Sequence, residues 1–293
     1  MEKIDSLKNE LLKNKIVIVV GAAGSICSAL SRKIAEQKPK KLLLLDNNET
    51  GLFDIYEELK NKCRVEFILG SIRDEKKLDE IFNKYRPEIV FHGAAYKHIV
   101  MCEKWPYEAI KTNVGGTKSL INVSVKYGVK KFVFISSDKT ANPVSVMGKT
   151  KREGEEMCLM ANVHDKTKFI VVRFGNVMAS RGSVIPTWQK QIEENKSLTI
   201  THKLMKRYFM GIPQAVDLVI KAEEMGKGGE IFVLDMGREV LIKDLAEMMI
   251  KMSGKDLGLK YIGVGKGEKM KEVLMTQKEK RRSKKINGMY VIK

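Results

Sequence analysis

Short apolar runs alternate with longer segments of helical spacing along the first 174 residues of this chain. The runs have the length of strands and lie near residues 16–20, 41–46, 65–69, 88–92, 131–135 and 168–173. Runs that are apolar at nearly every position are typical of strands buried on both faces of a parallel sheet. The alternation implies right-handed crossovers and helices on both faces. The pattern therefore predicts a doubly wound α/β domain over residues 1–174.

The pattern changes after residue 174, where turns containing Gly and Pro become frequent. Helices are predicted near 183–195, 213–225 and 241–253, with a strand at 230–234. Since no low-complexity linker separates the two parts, we interpret residues 175–293 as a smaller lobe interleaved with the first domain. At the other end, the first fifteen residues have leucines at helical spacing and lack the apolar core of a secretion signal. They are expected to form a short helix packed on the domain.

Composition favours a soluble enzyme without a membrane span. Apolar residues make up 43% of the 293 positions, which is ample for a core, and no apolar run approaches the roughly 18 residues of a bilayer helix. The four cysteines, at positions 27, 63, 102 and 158, are scattered and lack the paired spacing of a zinc site. We expect reduced thiols and a cytoplasmic location.

The net charge of +18 permits two interpretations. Residues 266–293 hold ten Lys or Arg against three Glu, so this tail alone contributes +7. Nucleic-acid-binding proteins show such a charge excess. A solvated or anion-facing tail is the favoured interpretation, and association with nucleic acid is the disfavoured one.

A glycine-rich turn follows the first apolar run. Gly21 and Gly24 lie between the strand Val17–Val20 and a helical segment, with Ala23, Ser25 and Ile26 in the same turn. Such a strand-turn-helix brings a dinucleotide pyrophosphate to a helix N-terminus. Cys27 occupies the position of a third glycine that normally allows close packing of helix and strand, so some loss of tightness is expected.

The second predicted strand ends in Asp46, about twenty residues after the turn, where an acid binds ribose hydroxyls. A carboxylate there would repel a 2′-phosphate, and the next residues include no Arg to hold one. NAD is therefore predicted in preference to NADP.

Candidate catalytic side chains are concentrated in residues 136–151. Ser137, Asp138 and Lys139 follow the apolar run 131–135, at the end of a parallel strand where active sites gather. Met147 and Lys151 are four residues apart, and therefore lie on one face of the helix predicted after Asn142-Pro143. A solvated ion pair of Asp138 with Lys139 is the alternative interpretation.

These motifs together resemble the extended short-chain dehydrogenase/reductases. More narrowly, they are similar to UDP-N-acetylglucosamine 4,6-dehydratases of the CapD-like polysaccharide-biosynthesis branch. The resemblance runs from about Lys15 to Leu274, and its further motifs are His92–His98, Arg173–Pro186, Arg207–Pro213 and Gly267–Lys269.

The resemblance implies a catalytic cycle and roles within it. Hydride leaves carbon 4 of the sugar, water is eliminated across carbons 5 and 6, and the hydride returns to carbon 6. Ser137 would bind the 4-hydroxyl, Lys139 would deprotonate carbon 5, and Asp138 would protonate the departing 6-hydroxyl. Lys151 would bind the nicotinamide ribose.

Met147 departs from most short-chain dehydrogenases, which carry a tyrosine there. A thioether accepts no proton at neutral pH, so the 4-hydroxyl proton has to leave through another group, such as Asp138 or a water. Methionine at this position recurs in one branch of the dehydratases, which favours retention of configuration at carbon 5. An inactive relative is the alternative.

The resemblance also implies the remaining binding residues. For the cofactor these are Ser71, in place of an aspartate at the adenine, with Ile72, Ala94, Ala95 and Asn113. For the substrate they are Lys97, His98, Asn176, Arg181 and Arg207. Relatives have an arginine where this chain has Gly265, and Lys266 is the expected substitute at the diphosphate.

The sequence thus predicts a cytoplasmic NAD-dependent dehydratase of UDP-N-acetylhexosamine for surface glycans. A UDP-hexose 4-epimerase is the first alternative, against which the Asp138-Lys139 pair argues. A non-catalytic dinucleotide-binding regulator or nucleic-acid-associated protein is the second. From the family we also expect a homo-oligomer, with 104–127 and 146–163 as candidate interfaces.

Overall fold

The computed structural model describes residues 11–164 and 166–293. Its strands are β1 (Ile16–Val20), β2 (Lys41–Asp46), β3 (Val65–Leu69), β4 (Ile89–His92), β5 (Lys131–Ile135), β6 (Lys168–Arg173), β7 (Asn176–Val177), β8 (Leu198–Ile200), β9 (Lys206–Arg207), β10 (Phe209–Met210), β11 (Ile231–Leu234), β12 (Val240–Leu241), β13 (Leu259–Tyr261), β14 (Ser283–Ile286) and β15 (Met289–Ile292). Residues 1–10, which hold most of the predicted N-terminal helix, lie outside the described residues.

The α-helices of the same residues alternate with the strands, as predicted. They are α1 (Ser25–Glu36), α2 (Glu49–Leu59), α3 (Glu75–Tyr85), α4 (Ile99–Lys104), α5 (Pro106–Ala109), α6 (Thr117–Lys126), α7 (Val146–Ala161), α8 (Val184–Glu193), α9 (Ile212–Met225), α10 (Ile242–Ser253) and α11 (Gln277–Arg282). A π-helical stretch covers Ile110–Gly116, and a 3₁₀ turn covers Asp138–Thr140. None of these helices has the length and apolar character that crossing a bilayer requires.

The central sheet confirms the predicted fold class. Its strand order is β14-β15-β11-β6-β5-β4-β1-β2-β3, and all pairs from β11 to β3 are parallel. The order reverses between β1 and β4, and ligands of such sheets bind at the carboxyl ends of the strands near this switch point.

The strands are apolar at nearly every position because both faces of the sheet are covered. Val17 and Val19 pack in a core with Leu30 of α1, whereas Ile18 and Val20 pack on the opposite face in a core that includes Phe82 of α3. Successive strand residues point to opposite faces, so an unbroken apolar run serves two cores.

A smaller lobe surrounds a third apolar cluster. Trp188 of α8, Leu198 and Ile200 of β8, and Ile242 of α10 are buried there, and Trp188 donates a hydrogen bond from Nε1 to the Thr199 carbonyl at 2.8 Å. The chain returns from this lobe to the main sheet through β11.

The C-terminal segment is built into the sheet, which corrects its interpretation as a tail. Residues 283–292 form the antiparallel hairpin β14–β15, and β15 pairs with β11. Met289, Val291 and Ile292 are buried, while Lys284 and Lys285 are exposed on the edge strand. These two lysines are thus solvated, but their backbone is ordered structure, and Lys269 of the same predicted tail is paired with the buried Glu272.

Candidate active site

The glycine-rich turn leaves a helix N-terminus open at the carboxyl end of β1. Gly21 has φ +83°, and a Cβ there would lie 2.6 Å from the Ala94 backbone nitrogen, so only glycine fits. Helix α1 begins after Gly24, which has no side chain to cap its free amides. Unpartnered amides and the helix dipole favour an anion at this point. The arrangement fits the pyrophosphate of a dinucleotide.

Asp46 shapes the same turn. Its Oδ2 accepts a hydrogen bond from the Ala23 amide and its Oδ1 accepts one from the Asn48 amide, both at 2.8 Å. The carboxylate therefore lies at the cleft wall in a fixed orientation, where its remaining lone pairs can accept bonds from ribose hydroxyls.

Cys27 fits without the loosening that the sequence suggested. A Cβ on Gly93 would lie 2.3 Å from Cys27 Sγ, so the glycine after β4 provides the space that the thiol needs. Cys27 is 3% exposed, and burial raises its pKa to about 12. It is a neutral packing group beneath the cofactor turn.

The catalytic candidates share one carboxylate oxygen at the end of β5. Asp138 Oδ1 accepts hydrogen bonds from Ser137 Oγ at 3.0 Å and from Lys139 Nζ at 2.9 Å. Lys139 Nζ also donates to Asn176 Oδ1 at 3.3 Å, so three predicted residues meet at this ammonium group. Asp138 is fully buried, and its Oδ2 has no hydrogen-bond partner among the described residues.

Met147 and Lys151 lie on one face of α7, as their spacing predicted. Lys151 Nζ donates to the Ile135 carbonyl at 2.6 Å and lies 4.0 Å from the centre of the Phe134 ring. Burial lowers the pKa of Lys151 to about 8, and the charge of Glu155 opposes part of this shift. Met147 is 4% exposed and packs against Cys102 and Ala109.

The predicted substrate residues surround the other end of the cleft. Partial burial and the charge of Lys139 lower the pKa of Lys97, and partial burial and the charge of Lys97 lower that of His98. Gly182, at φ +67°, lies against the His98 ring, and the Arg181 amide donates to Ser25 Oγ at 2.9 Å. This loop therefore links the cofactor turn to the substrate side.

Most predicted site residues line one continuous cleft of about 1000 Å³. They are Gly21, Ala23, Gly24, Ser25, Ile26, Asp46, Ser71, Ile72, Ala94, Ala95, Lys97, His98, Ser137, Lys139, Met147, Lys151, Asn176, Arg181 and Arg207.

Three predicted site residues do not line that cleft. Asp138 is buried behind Ser137 and Lys139. Asn113 is 1% exposed because its amide binds the Tyr96 backbone and Thr150 Oγ1, so it supports the cofactor wall from behind. Lys266 is largely exposed, and its Nζ lies 3.7 Å from Glu103 Oε2.

Several lining residues were missed by the motif analysis. Arg73 lies near the cofactor end, but Thr112 and Glu108 already bind its guanidinium. Trp188, Thr199 and Glu268 line the substrate end. Of these three residues, only Glu268 lies in a motif that the sequence analysis recognised. From sequence alone, Trp188 would be assigned to the hydrophobic core.

Comparison with known protein families gives one match along nearly the whole chain. The sequence profile of a family described as "Polysaccharide biosynthesis protein" matches residues 17–293. The capsular polysaccharide biosynthesis protein CapD of Staphylococcus aureus is 43% identical over 276 residues, which are 92% of this chain and 46% of that protein. The chain thus spans about half the length of that relative.

Two further relatives carry different activity names. A UDP-glucose 4-epimerase of Rickettsia bellii is 34% identical, over 95% of this chain and 83% of its own. A UDP-N-acetylglucosamine 4,6-dehydratase (inverting) of Campylobacter jejuni is 31% identical, over 96% and 84%.

Solved structures give the same fold. The X-ray structure of Pen from Bacillus thuringiensis has a TM-score of 0.92 at 36% identity, covering 96% of this chain and 88% of its own. DesIV of Streptomyces venezuelae, a dTDP-glucose 4,6-dehydratase solved with NAD and TYD bound, has a TM-score of 0.81 at 19% identity, over 90% and 89%.

Proposed function

Because this chain belongs to the family of polysaccharide biosynthesis proteins, we propose that it is an NAD-dependent 4,6-dehydratase of UDP-N-acetylglucosamine. The resemblance drawn from the motifs is confirmed for the family, whose relatives include nucleotide-sugar dehydratases and epimerases. The choice between these two activities depends on the groups at the reacting carbons.

One observation supports the dehydratase: the hydrogen-bonded group of Ser137, Asp138 and Lys139 at the cleft wall. Epimerisation needs a hydride removed from carbon 4 and a proton removed from the 4-hydroxyl, with both returned at the same carbon. Elimination needs in addition a base for carbon 5 and an acid for the 6-hydroxyl. A carboxylate paired with an amine supplies both kinds of group, whereas an epimerase needs no base at carbon 5 and no acid at the 6-hydroxyl.

The hydrogen bonds suggest how the 4-hydroxyl proton leaves although Met147 cannot accept it. Ser137 Oγ already donates to Asp138 Oδ1, so a sugar hydroxyl bound to Ser137 can pass its proton through the serine to the buried carboxylate. Asp138 then holds a proton that can return through Ser137 to the 6-hydroxyl at the elimination step. Its lack of direct contact with the cleft is consistent with such a relay.

Lys139 is the proposed base at carbon 5. An ammonium accepts no proton, so Lys139, which lines the open cleft, first releases one proton to solvent. It takes the carbon 5 proton, and returns a proton to that carbon when hydride has been added at carbon 6. Bound NAD would supply the hydride acceptance and return. Lys151, the turn at Gly21–Ser25 and Asp46 would hold the cofactor.

The test is incubation of the purified protein with UDP-N-acetylglucosamine in deuterium oxide, followed by mass spectrometry of the sugar nucleotide after back-exchange. A dehydratase product has lost one water and gained one deuterium at carbon 5. Lys139→Ala should abolish both changes, while Lys149→Ala, an exposed lysine on α7 outside the cleft, should leave them intact. NMR of the product gives the configuration at carbon 5.

The alternatives give different products in the same experiment. An epimerase returns a sugar of unchanged mass with a new configuration at carbon 4 and no deuterium. Unchanged sugar across several UDP-hexoses would contradict both activities.

A further inference from the structure

Four charged side chains form a network beneath the active site, and the proposed chemistry does not use them. Arg173, fully buried at the end of β6, donates from Nε and Nη2 to the Glu155 carboxylate at 3.0 and 2.7 Å. It also donates to both oxygens of Glu279 at 3.1 Å. Arg152 Nη1 donates to Glu279 Oε1 at 3.0 Å. We call these four residues the buried ion network.

Glu155 connects the network to the catalytic turn. Its Oε1 accepts hydrogen bonds from Ser136 Oγ at 2.6 Å and from Thr140 Oγ1 at 2.8 Å. These two residues stand immediately before and after Ser137–Lys139, so one carboxylate holds both ends of the turn. Glu155 also lies one helical turn beyond Lys151 and fixes the turn relative to the face of α7.

Glu279 connects the network to the C-terminal segment. Its Oε2 accepts a hydrogen bond from the Thr276 amide at 2.7 Å, and its own amide donates to Thr276 Oγ1 at 3.2 Å. This capping box fixes Glu279 to the start of α11. The α11 segment contributes no residue to the cleft wall.

We propose that Glu279 is a positioning residue of the active site, which acts through Arg173 and Glu155 to hold the turn that carries Asp138 and Lys139. The inference rests on the proposed function only in naming that turn as catalytic. The two carboxylates satisfy both sides of the Arg173 guanidinium. Without the charge of Glu279, Arg173 keeps the Leu274 carbonyl at 3.2 Å but has Glu155 as its one carboxylate, in competition with the Ser136 and Thr140 hydroxyls.

Glu279→Gln is the informative variant. Glutamine serves at this position of a capping box, so α11 keeps its start while Arg173 loses a carboxylate. Glu156→Gln is the matched control, because Glu156 also accepts a bond from Arg152, at 2.8 Å, but does not contact Arg173. Glu279→Asp provides a second variant with the charge retained.

Two readouts test the proposal. Turnover of Glu279→Gln should fall roughly tenfold with KM for the sugar nucleotide within about twofold, because small displacements of reacting groups slow the chemical step more than binding. Hydrogen exchange should rise several-fold in a peptide spanning 136–142, where the Thr140 and Ala141 amides donate to the Ser137 and Asp138 carbonyls. Hydrogen exchange in a peptide spanning β1 should not change. Glu279→Asp, which retains the charge, should lose less turnover than Glu279→Gln.

Exchange separates failure of this proposal from failure of the proposed function, since it requires no substrate. Unchanged exchange at 136–142, or an equal rise there and in β1, would overturn the positioning role. Where the wild-type protein turns over the sugar nucleotide, equal turnover of Glu279→Gln and Glu156→Gln would also overturn it.

Discussion

The two halves of the cleft are held together by different kinds of contact. The cofactor half depends on backbone geometry, such as the fit of Gly21 against the Ala94 backbone and the Asp46 carboxylate on the Ala23 amide. The catalytic half depends on charged side chains separated by long stretches of chain. Arg173 and Glu279 are 106 residues apart, and Lys269 donates to the Ala141 carbonyl across 128.

This difference has energetic consequences. A backbone turn that only glycine can form is sensitive to added volume, whereas a buried ion network is sensitive to loss of a partner, because the remaining charge stays desolvated. A substitution that adds a methyl group should therefore destabilise the cofactor half, whereas a substitution that removes a charge should destabilise the catalytic half.

The largest effect is expected from Glu155→Ala. The substitution leaves Arg173 with one carboxylate and deprives the Ser136 and Thr140 hydroxyls of their acceptor. Breaking a buried pair of this kind costs about 3–5 kcal/mol of unfolding free energy. Urea unfolding measures it, with Glu156→Ala, an exposed residue of the same helix, expected within about 0.5 kcal/mol of wild type. Equal losses in the two variants would show that the network adds no stability.

A smaller effect is expected in the cofactor half from Gly93→Ala. The new Cβ would lie 2.3 Å from Cys27 Sγ, and overpacking of this kind costs about 1–3 kcal/mol. Adding Cys27→Gly removes the clash, so the double variant should recover at least half of the unfolding free energy. If the loss of unfolding free energy in the double variant equals the sum of the losses in the two single variants, Cys27 does not occupy the space that Gly93 leaves open.

The smallest effect is a pH dependence of the network. Burial alone raises the pKa of Glu279, but hydrogen bonds and charge from Arg173 outweigh it and hold the value at about 2, against an ordinary 4.5. A folded pKa below the unfolded one means stability that is complete above about pH 4.5 and lost as the pH falls towards 2. After allowance for partial exposure, this contributes about 1–2 kcal/mol at neutral pH.

Urea unfolding of wild type and Glu279→Gln at pH 7 and at pH 3 measures this contribution. The difference in unfolding free energy between the two proteins should shrink at pH 3, because the Glu279 carboxyl is then protonated in the unfolded state but still ionised in the folded state. A difference that does not depend on pH would contradict an ionic role.

The sequence predicted the parallel core closely because a strand covered on both faces has an unmistakable apolar run. The runs at 16–20, 41–46 and 131–135 coincide with β1, β2 and β5. Motif positions at the ends of these strands predicted the cleft wall for the same reason, since the carboxyl ends of parallel strands meet at one edge.

The sequence did not predict the hairpin β14–β15 or the buried ion network. The many Lys and Arg residues of this segment led to its interpretation as a solvated tail. Asn287-Gly288, with φ of 49° and 77°, is nevertheless a dipeptide typical of a two-residue hairpin turn. A pairing of Arg173 with Glu279 leaves no local pattern, because the sequence around each residue does not indicate its distant partner. Only the folded topology brings them together.

The ion network also gives the protein an order of assembly. During synthesis the ribosome completes the glycine-rich turn, β1 and β2 first, and β4, which pairs with β1, follows by residue 92. Arg173 is synthesised 106 residues before its partner Glu279. A nascent chain can therefore form its dinucleotide half long before its catalytic turn is locked, so a ribosome-stalled chain ending before α11 should bind cofactor without turning over substrate.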